Sequence, residues 1–286
     1  MHETGGNVNP HSLALWTRAL ALHDWDAVVD VGVNYGEMLT SVELPASARV
    51  IGFEPNPRIL PSLRRTLAEF GRAVTLVETA LADRPDTTAQ FTMDLTWSGT
   101  SGLTATLAKE DHIQELVTVP VTTLDRYFEQ TTRPASLCMK VDVEGGETPF
   151  LIGAVQTLRG VTHWAVMVEC VHQPIEVISQ WATEHAAFVL DPLTGALLRM
   201  PSDSEALMEV RVKLAPQDLL LLSPAVASHL ASERSEAELL TASVLARSPL
   251  RRRSWRRSPW LAPLRAPYRL AKRLRKRAQQ RRVAAG

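Results

Sequence analysis

Short apolar runs alternate with longer stretches of helical periodicity along most of the chain, up to about residue 222. This alternation is typical of strand–helix–strand units that build a mostly parallel sheet. Several runs are apolar throughout, as expected for strands that helices cover on both faces. The pattern predicts seven strands: Ala27–Val31, Val50–Glu54, Val74–Val77, Leu137–Val141, Trp164–Glu169, Ala187–Leu190 and Leu219–Leu222.

The stretches between these strands carry apolar residues at the spacing of an amphipathic helix. Another pair of runs, Gln90–Asp94 and Leu116–Val121, predicts a side hairpin or an excursion from the sheet. The predicted helices are Ser12–His23, Ile59–Phe70, Glu147–Leu158 and Ile175–His185, with a shorter one at Ser232–Leu245.

The composition is that of a globular chain, with 286 residues of which 45% are hydrophobic and 22% charged. These values exclude disordered, collagen-like and disulfide-framework proteins. The two cysteines, Cys138 and Cys170, lie in apolar runs, which is typical of a reduced, cytoplasmic protein. No apolar run reaches the roughly 18 residues of a membrane span, and the N-terminus lacks a basic-then-apolar leader. We therefore expect neither a spanning helix nor a secretory signal.

The formal net charge of zero is a cancellation between two parts of the chain. Residues 247–286 hold 15 of the 31 Lys and Arg residues and no Asp or Glu, so they carry +15 and the rest of the chain −15. This change in composition predicts four parts. They are an N-terminal helix region (1–24), an α/β domain (25–222), a helical connector (223–246) and a basic tail (247–286).

The basic tail has three interpretations. Its aromatic residues, Trp255, Trp260 and Tyr268, and a basic amphipathic pattern at Tyr268–Arg282 fit peripheral contact with an anionic membrane surface. The same charge suits nucleic acid, which is the less favoured partner. The third interpretation is a tail that folds back on its own acidic domain.

The first predicted strand runs into a turn with two glycines, Asp30-Val31-Gly32-Val33-Asn34-Tyr35-Gly36. Glycine lets a ligand approach the backbone of such a strand–helix turn, because no Cβ blocks it. A dinucleotide site has the spacing G-x-G-x-x-G and binds a pyrophosphate at the helix N-terminus. Here Asn34 takes the second glycine position and the acidic Glu37 follows. The turn therefore favours the amino-acid end of S-adenosylmethionine over NAD.

An acidic residue also ends the second predicted strand. Glu54 lies 24 residues after Asp30, in the motif Gly52-Phe53-Glu54-Pro55. A carboxylate at this place can accept hydrogen bonds from both hydroxyls of an adenosine ribose. Glu54 therefore strengthens the prediction of an adenosine-containing cofactor.

Five motifs follow one another in order: Asp30–Gly36, Phe53–Pro57, Ala80–Asp83, Val121–Asp125 and Lys140–Glu147. The series resembles that of FkbM-type S-adenosylmethionine-dependent methyltransferases, and the resemblance covers roughly residues 28–222. It implies an α/β, Rossmann-like class I methyltransferase fold, in which helices flank a seven-stranded, mostly parallel sheet with a reversed last strand. It also implies methyl transfer, usually to a hydroxyl oxygen. The basic tail has no counterpart in the family core.

Carried over position by position, the resemblance implies a cofactor site at the carboxyl ends of the strands. The glycine turn would line the methionine end, Glu54 would hold the ribose, and Asp83 would lie near the adenine edge. Asp142 would lie near the methyl donor. The implied cofactor-binding residues are Asp30, Gly32, Asn34, Gly36, Glu54, Asp83 and Asp142.

Transfer to a hydroxyl needs a group that takes its proton. Asp142 and Glu144 alternate across Val143, so they lie on one side of the chain if the segment stays extended, and both are candidate general bases. Alternatively, Glu144 and Glu147 stabilise the N-terminus of the following helix. Lys140, on an otherwise apolar strand, is expected to pair with one of these acids.

The fifth predicted strand ends in Glu169-Cys170-Val171-His172. His172 is a third candidate catalytic residue, as a base or an acceptor contact, and its alternative is an ordinary loop histidine. With Asp142, Glu169 and His172 could also form a divalent metal site. No tight ligand spacing supports such a site, so no metal ligands are assigned.

The segment Thr96–Gly102 is rich in hydroxyls and glycine. It is consistent with a flexible loop that carries Trp97 over a sugar ring, or with an exposed loop whose tryptophan is anchored in the core.

The sequence thus predicts a cytoplasmic S-adenosylmethionine-dependent O-methyltransferase, placed by its tail near the inner face of a membrane. Its acceptor would be a hydroxyl of a sugar, glycolipid or natural product. The alternative is a non-catalytic, methyltransferase-like module that acts through its basic tail. A nicotinamide dehydrogenase is disfavoured by the spacing of the glycine turn.

Overall fold

The computed structural model describes residues 9–85, 87–103, 112–192 and 194–230. The basic tail 247–286, the predicted helices Ser232–Leu245 and Tyr268–Arg282, and most of the connector lie outside the described residues. Among the described residues, no helix combines the length and the apolarity needed to cross a membrane.

The described chain is an alternation of strands and helices. The strands are β1 Ala27–Val31, β2 Arg49–Phe53, β3 Val74–Val77, β4 Ala80–Leu81, β5 Thr87–Asp94, β6 Gln114–Thr122, β7 Ser136–Val141, β8 His163–Glu169, β9 Ala186–Leu190, β10 Leu197–Arg199 and β11 Asp218–Leu222. The helices are α1 Pro10–Leu20, α2 Glu37–Thr40, α3 Leu60–Phe70, α4 Leu124–Gln130, α5 Glu147–Ile152, α6 Val155–Gly160, α7 Ile175–Glu184, α8 Ser204–Leu214 and α9 Pro224–His229.

The main sheet has the strand order β10-β9-β11-β8-β7-β1-β2-β3. The neighbours from β3 through β8 pair in parallel. The last strand, β11, is reversed and pairs antiparallel with both β8 and β9, as the family resemblance implies. The α/β class and the mainly parallel sheet are confirmed.

The predicted count of seven strands is wrong for this sheet, which has eight. After β9 the chain turns back through Gly195, which adopts a positive φ of 76°. This turn lets Leu197–Arg199 pair antiparallel with the end of β9 and form the added edge strand β10. Leu197 and Leu198 are buried there, so the short strand extends the core.

The strands of the main sheet are apolar because both faces are covered. Every residue of β1, β7 and β11 is buried. One face packs against α4 to α8 and the other against α1, where Trp16 is fully buried. His11, at the start of α1, contacts the Leu190 carbonyl through Nε2 at 2.9 Å, which ties this helix to the sheet.

The predicted helix Glu147–Leu158 is two helices, α5 and α6, separated at Gly153 and Ala154. A Cβ at position 153 would overlap the carbonyl oxygen of Ala82, so the chain makes a close backbone approach there. The carboxylate of Asp125 then accepts hydrogen bonds from Gln156 N at 2.9 Å and Thr157 N at 2.6 Å, which begins the second helix. The break therefore has a local packing cause.

A second sheet has the order β4-β6-β5. Strand β5 pairs antiparallel with β6 over its whole length, so the predicted side hairpin is confirmed, with longer strands than predicted. Phe91, Met93, Val119 and Val121 form a small core beneath it. This sheet places the loop that follows β5 beside the carboxyl ends of β1 and β7.

Candidate functional site

A cavity of about 430 Å³ opens at the carboxyl ends of β1, β2, β7 and β8. This is the volume of a small-molecule site, and the carboxyl edge is where open α/β sheets bind ligands. Of the residues predicted to bind cofactor or catalyse, Gly32, Asn34, Glu54, Asp142 and Glu144 line the cavity.

The remaining predicted residues lie outside the cavity lining. Asp30 is fully buried beneath it, and Gly36 packs its backbone toward the side chains of Leu63 and Thr66 on α3. Asp83 lies beyond the end of β4, with its side chain 41% exposed and 4.0 Å from Arg84. Near β4 the cavity is lined by Thr79, Ala80 and Leu81 and not by Asp83.

The glycine turn has a strained backbone that only its residue types tolerate. Gly32, Asn34 and Gly36 have positive φ angles of 81°, 53° and 88°. Glycine and asparagine adopt this region at the lowest cost. A Cβ on Gly32 would overlap the carbonyl oxygen of Asp142, so the turns after β1 and β7 touch through their backbones.

Glu54 is held at the cavity wall by the backbone of two neighbouring turns. Its Oε2 accepts a hydrogen bond from Asn34 N and its Oε1 one from Asn56 N, both at 2.8 Å. Burial raises the pKa of Glu54 to about 7, against the lowering effect of these two bonds. Each oxygen keeps a lone pair with which to accept a ligand hydroxyl.

Lys140 is a buried cation between two carboxylates. Its Nζ lies 3.2 Å from Asp142 Oδ2 and 3.5 Å from Asp30 Oδ1. Burial would lower the pKa of Lys140, but the charges of Asp142 and Asp30 outweigh it and raise that pKa. Burial raises the pKa of Asp30 to about 6, against the effect of Lys140. The expected pairing of Lys140 with an acid is confirmed, and it holds Asp142 at the cavity.

The segment after Asp142 is not extended, so the predicted alternation of Asp142 and Glu144 is wrong. Strand β7 ends at Val141, and Glu144 and Gly145 have positive φ angles of 54° and 95°. Glu147 fixes this turn, because its Oε1 accepts hydrogen bonds from Val143 N and Gly145 N at 3.2 Å. Its Oε2 accepts another from Gln173 Nε2 at 2.8 Å. Glu147 therefore has the structural role.

Glu144 faces the end of β8 across the cavity mouth. Its Oε2 lies 3.9 Å from Nε2 of His172, whose side chain is 39% exposed just outside the lining. Burial raises the pKa of Glu144 to about 8, with contributions from the charges of Asp142 and Glu147. Burial also raises the pKa of Glu169, and the neighbouring Asp142 and Glu144 add to the shift. Glu144, Glu169 and His172 form one cluster, in which Glu144 takes the place predicted for Asp142.

The lining includes polar residues that were not predicted, among them Asn9, Ser12 and Asp218. Asp218 begins β11 opposite Glu169, and Ser12 Oγ donates a hydrogen bond to its Oδ2. Burial raises the pKa of Asp218 to about 7, against this hydrogen bond. The signal was present in the expected reversal of the last strand, because reversal brings the start of that strand to the carboxyl edge of the others.

The loop after β5 forms the outer wall. Trp97 lines the cavity and is 47% exposed, so it is not anchored in the core. Asp94 organises this loop: its Oδ1 accepts hydrogen bonds from Thr96 N at 2.8 Å and Trp97 N at 2.9 Å, and its Oδ2 contacts His112 Nδ1. Ser98 Oγ donates to Asn34 Oδ1 at 3.1 Å, which joins the loop to the glycine turn.

Several solved structures are similar to this chain at low sequence identity. Precorrin-6Y C5,15-methyltransferase from Geobacter metallireducens GS-15 is 13% identical, with a TM-score of 0.37 over 73% of this chain and 85% of that chain. The C-terminal domain of the Rhodobacter capsulatus enzyme of that name is 12% identical, with a TM-score of 0.41 over 78% and 92%. An rRNA methylase from Streptococcus thermophilus is 11% identical, with a TM-score of 0.36 over 76% and 97%.

The sequence matches no curated protein at a significant level. The family model of the methyltransferase FkbM domain matches residues 30–194, which is more than half of the chain. The matched segment runs from the start of the glycine turn past the end of β9 and includes Glu54, Asp142 and the Glu144 cluster. The chain therefore belongs to the FkbM family of methyltransferases.

Proposed function

We propose that this protein is an S-adenosylmethionine-dependent O-methyltransferase whose acceptor is a hydroxyl of a sugar, glycolipid or natural product. One observation is the main support for binding of the methyl donor. Glu54 lines the cavity, and backbone N–H groups of Asn34 and Asn56 hold its carboxylate in place. A fixed carboxylate of this kind suits the two hydroxyls of a ribose.

The residues of the donor half fit the cofactor. Gly32 lets the turn after β1 lie directly against the backbone of Asp142, since a Cβ there would overlap the carbonyl oxygen of Asp142. Gly32 and Asn34 would hold the amino-acid end, Glu54 the ribose, and Leu81 an apolar edge of the adenine. Bound S-adenosylmethionine supplies an electrophilic methyl group. Asp83 is not part of this proposal, because it lies outside the lining.

The acceptor half of the cavity is rich in carboxylates: Asp142, Glu144, Glu169 and Asp218. Lys140 is the cation among them, and it is paired with Asp30 and Asp142. Such a surface suits a neutral, polyhydroxylated acceptor, whose hydroxyls can exchange hydrogen bonds with carboxyl groups in either protonation state. The exposed face of Trp97 at the outer wall can pack against a sugar ring.

Asp142 is the residue best placed to take the proton of the acceptor hydroxyl. It lines the cavity next to Gly32, its side chain is 37% exposed, and Lys140 holds one oxygen in position. A base within hydrogen-bond reach of the reacting hydroxyl speeds the transfer by removing its proton as the new bond to the methyl carbon forms. Glu144 and His172 lie on the same side of the cavity mouth.

Donor binding is tested with S-adenosylhomocysteine, which should raise the melting temperature of the purified chain. The Glu54→Gln variant keeps the shape of the side chain but loses the charge, so it should show a smaller shift. Glu78→Gln is the control, because Glu78 pairs with Arg64 at the surface. A Glu54→Gln variant that binds as well as the parent would show that Glu54 does not contact the ribose.

Methyl transfer is tested by incubating the protein with methyl-labelled S-adenosylmethionine and fractions of a cell extract. We expect the label in a neutral, hydroxyl-bearing product. Acid hydrolysis, which cleaves methyl esters, should not release the labelled methyl group from it. Label confined to proteins, to RNA or to carbon or nitrogen atoms of the product would contradict the O-methyltransferase proposal.

A further inference from the structure

Three side chains at the acceptor end of the cavity are spaced like the ligands of one ion. Glu144 comes from the turn after β7, Glu169 ends β8, and His172 follows three residues later. Each offers one oxygen or nitrogen atom, and these three atoms all lie within 4.8 Å of one another. Two separate loops thus converge on a common point.

Glu144 and His172 are too far apart for a direct hydrogen bond. Nε2 of His172 lies 3.9 Å from Oε2 of Glu144, beyond the roughly 2.7–3.2 Å of an N–H···O bond. Ligands that each lie about 2.0–2.2 Å from a divalent ion are about 3 to 4 Å apart. Small side-chain movements would bring all three atoms to such an ion.

One carboxylate oxygen of Glu169 points to a missing partner. Its Oε2 is buried and has no hydrogen-bond partner within the described residues. A buried carboxylate oxygen without a donor is unfavourable, and nearly all such groups in native proteins have a partner. A cation at the cluster supplies the missing partner.

The charges around the cluster also favour a cation. Asp142, Glu147 and Asp218 all act electrostatically on Glu169. The ammonium group of Lys140 is shared between Asp30 and Asp142. One lysine charge therefore stands against the four carboxyl groups of the acceptor half of the cavity.

We propose that Glu144, Glu169 and His172 bind a divalent first-row transition-metal ion, with Mn²⁺ the best match. Carboxylate oxygens suit Mn²⁺ and Mg²⁺, whereas an imidazole ligand favours a transition metal over Mg²⁺ or Ca²⁺. Three protein ligands leave open coordination positions. On the proposed methyltransferase function, two neighbouring hydroxyls of the acceptor would occupy them, and the ion would lower the pKa of the reacting hydroxyl.

The test is titration of the full chain with MnCl₂ alone, followed by the electron paramagnetic resonance signal of free Mn²⁺. We expect one saturable site that EDTA empties. Glu169→Gln and His172→Ala should each weaken the affinity at least about tenfold. Because His172 is a partly exposed loop residue, its variant should keep the parent's melting temperature. Glu115→Gln, an exposed acid on β6, is the matched control and should bind like the parent.

The proposal is wrong if no saturable Mn²⁺ site exists, or if both cluster variants bind Mn²⁺ as the parent does. The thermal shift with S-adenosylhomocysteine, measured without metal, separates this failure from failure of the proposed function. A chain that binds S-adenosylhomocysteine but not Mn²⁺ overturns the metal site alone. A chain that binds Mn²⁺ but not S-adenosylhomocysteine supports the metal site and counts against the donor site.

Discussion

Gly32 and Asp142 are in direct backbone contact, and that contact joins the two turns on which the donor half of the cavity depends. A Cβ at position 32 would overlap the carbonyl oxygen of Asp142 and lie 3.0 Å from its carbonyl carbon. Neither atom belongs to a flexible side chain that could move aside. The turn after β1 can therefore approach β7 only with glycine at this position.

We expect Gly32→Ala to abolish the thermal shift with S-adenosylhomocysteine and to lower the free energy of unfolding. The left-handed φ of 81° costs a non-glycine residue about 1–2 kcal/mol, and the overlap adds to this cost. Gly71→Ala is the matched control, because Gly71 has a φ of 73° but a Cβ there would meet nothing within 4 Å. Urea unfolding of both variants separates strain from overlap. Equal losses in the two variants would show that the contact with Asp142 is unimportant.

The carboxyl group of Glu54 should make donor binding depend on pH. Its pKa is raised from 4.5 to about 7, chiefly by burial, and the ionised form is the better acceptor for two ribose hydroxyls. We expect the affinity for S-adenosylhomocysteine to rise between pH 6 and pH 8, and Glu54→Gln to flatten that rise, with calorimetric titration as the measurement. A rise of the same size in the variant would assign it to another group.

The raised pKa of Glu54 should lower the stability of the fold over the same pH range in which donor affinity rises. Because the folded pKa of Glu54 lies above the unfolded value, its contribution to stability is fully present below pH 4.5 and is lost as the pH rises through about 7. Glu54→Gln, which cannot ionise, should therefore gain stability relative to the parent as the pH rises. Urea unfolding at pH 5 and pH 8 measures this difference.

Most strands of the main sheet were predictable from sequence because both of their faces are buried. Such strands are continuous apolar runs, and all seven predictions agree with the structure to within one residue at either end. Helix α8 was missed because Met208 and Val212 are exposed, which blurs its apolar stripe. Edge strand β10 was missed because three residues carry too little pattern.

The donor half of the site was more predictable than the acceptor half. Gly32 and Glu54 directly follow strands, so sequence position fixes their place at the carboxyl edge. Ser12 and Asp218 are brought together by the packing of α1 against the sheet, across 206 positions of the chain. Glu144 required a left-handed backbone that the alternation of Asp142 and Glu144 did not indicate.

Lys140 and Asp30 form a buried ion pair, so replacing one partner alone should destabilise the fold. Lys140→Met leaves Asp30 fully buried without its cation, and the loss of one partner from a buried pair costs about 3–5 kcal/mol. We expect Lys140→Met/Asp30→Asn to recover part of this loss, as measured by urea unfolding at pH 7. No recovery in the double variant would mean that Lys140 stabilises the fold mainly through Asp142.

The cost of Lys140→Met should itself depend on pH. Burial already raises the pKa of Asp30 from 3.8 to about 6 against the effect of Lys140, so removing the cation raises that pKa further. A group with a raised folded pKa loses its stabilising contribution as the pH rises through that value. We therefore expect the destabilisation to be small near pH 4 and to grow toward pH 8.

Asp94 should control the order of the Trp97 loop. Its carboxylate accepts hydrogen bonds from Thr96 N, Trp97 N and, at 2.5 Å, Thr100 Oγ1, and it also contacts His112. Asp94→Ala removes these acceptors together and should cost about 2–3 kcal/mol of stability. Hydrogen exchange should quicken at the amides of Thr96 and Trp97. Ser62→Ala on α3 should leave these two amides protected as in the parent.

Asp94→Asn isolates the charge, because the amide oxygen can still accept from the two loop amides. Burial would raise the pKa of Asp94, but hydrogen bonds from Thr100, His112 and the loop amides outweigh it and lower that pKa from 3.8 to about 2. A lowered folded pKa gives stability that is present above pH 3.8 and is lost as the pH falls through about 2. The difference between parent and Asp94→Asn in urea unfolding should therefore stay constant above pH 4 and shrink below it. A difference that persists unchanged to pH 2 would mean that the loop depends on the shape of the side chain and not on its charge.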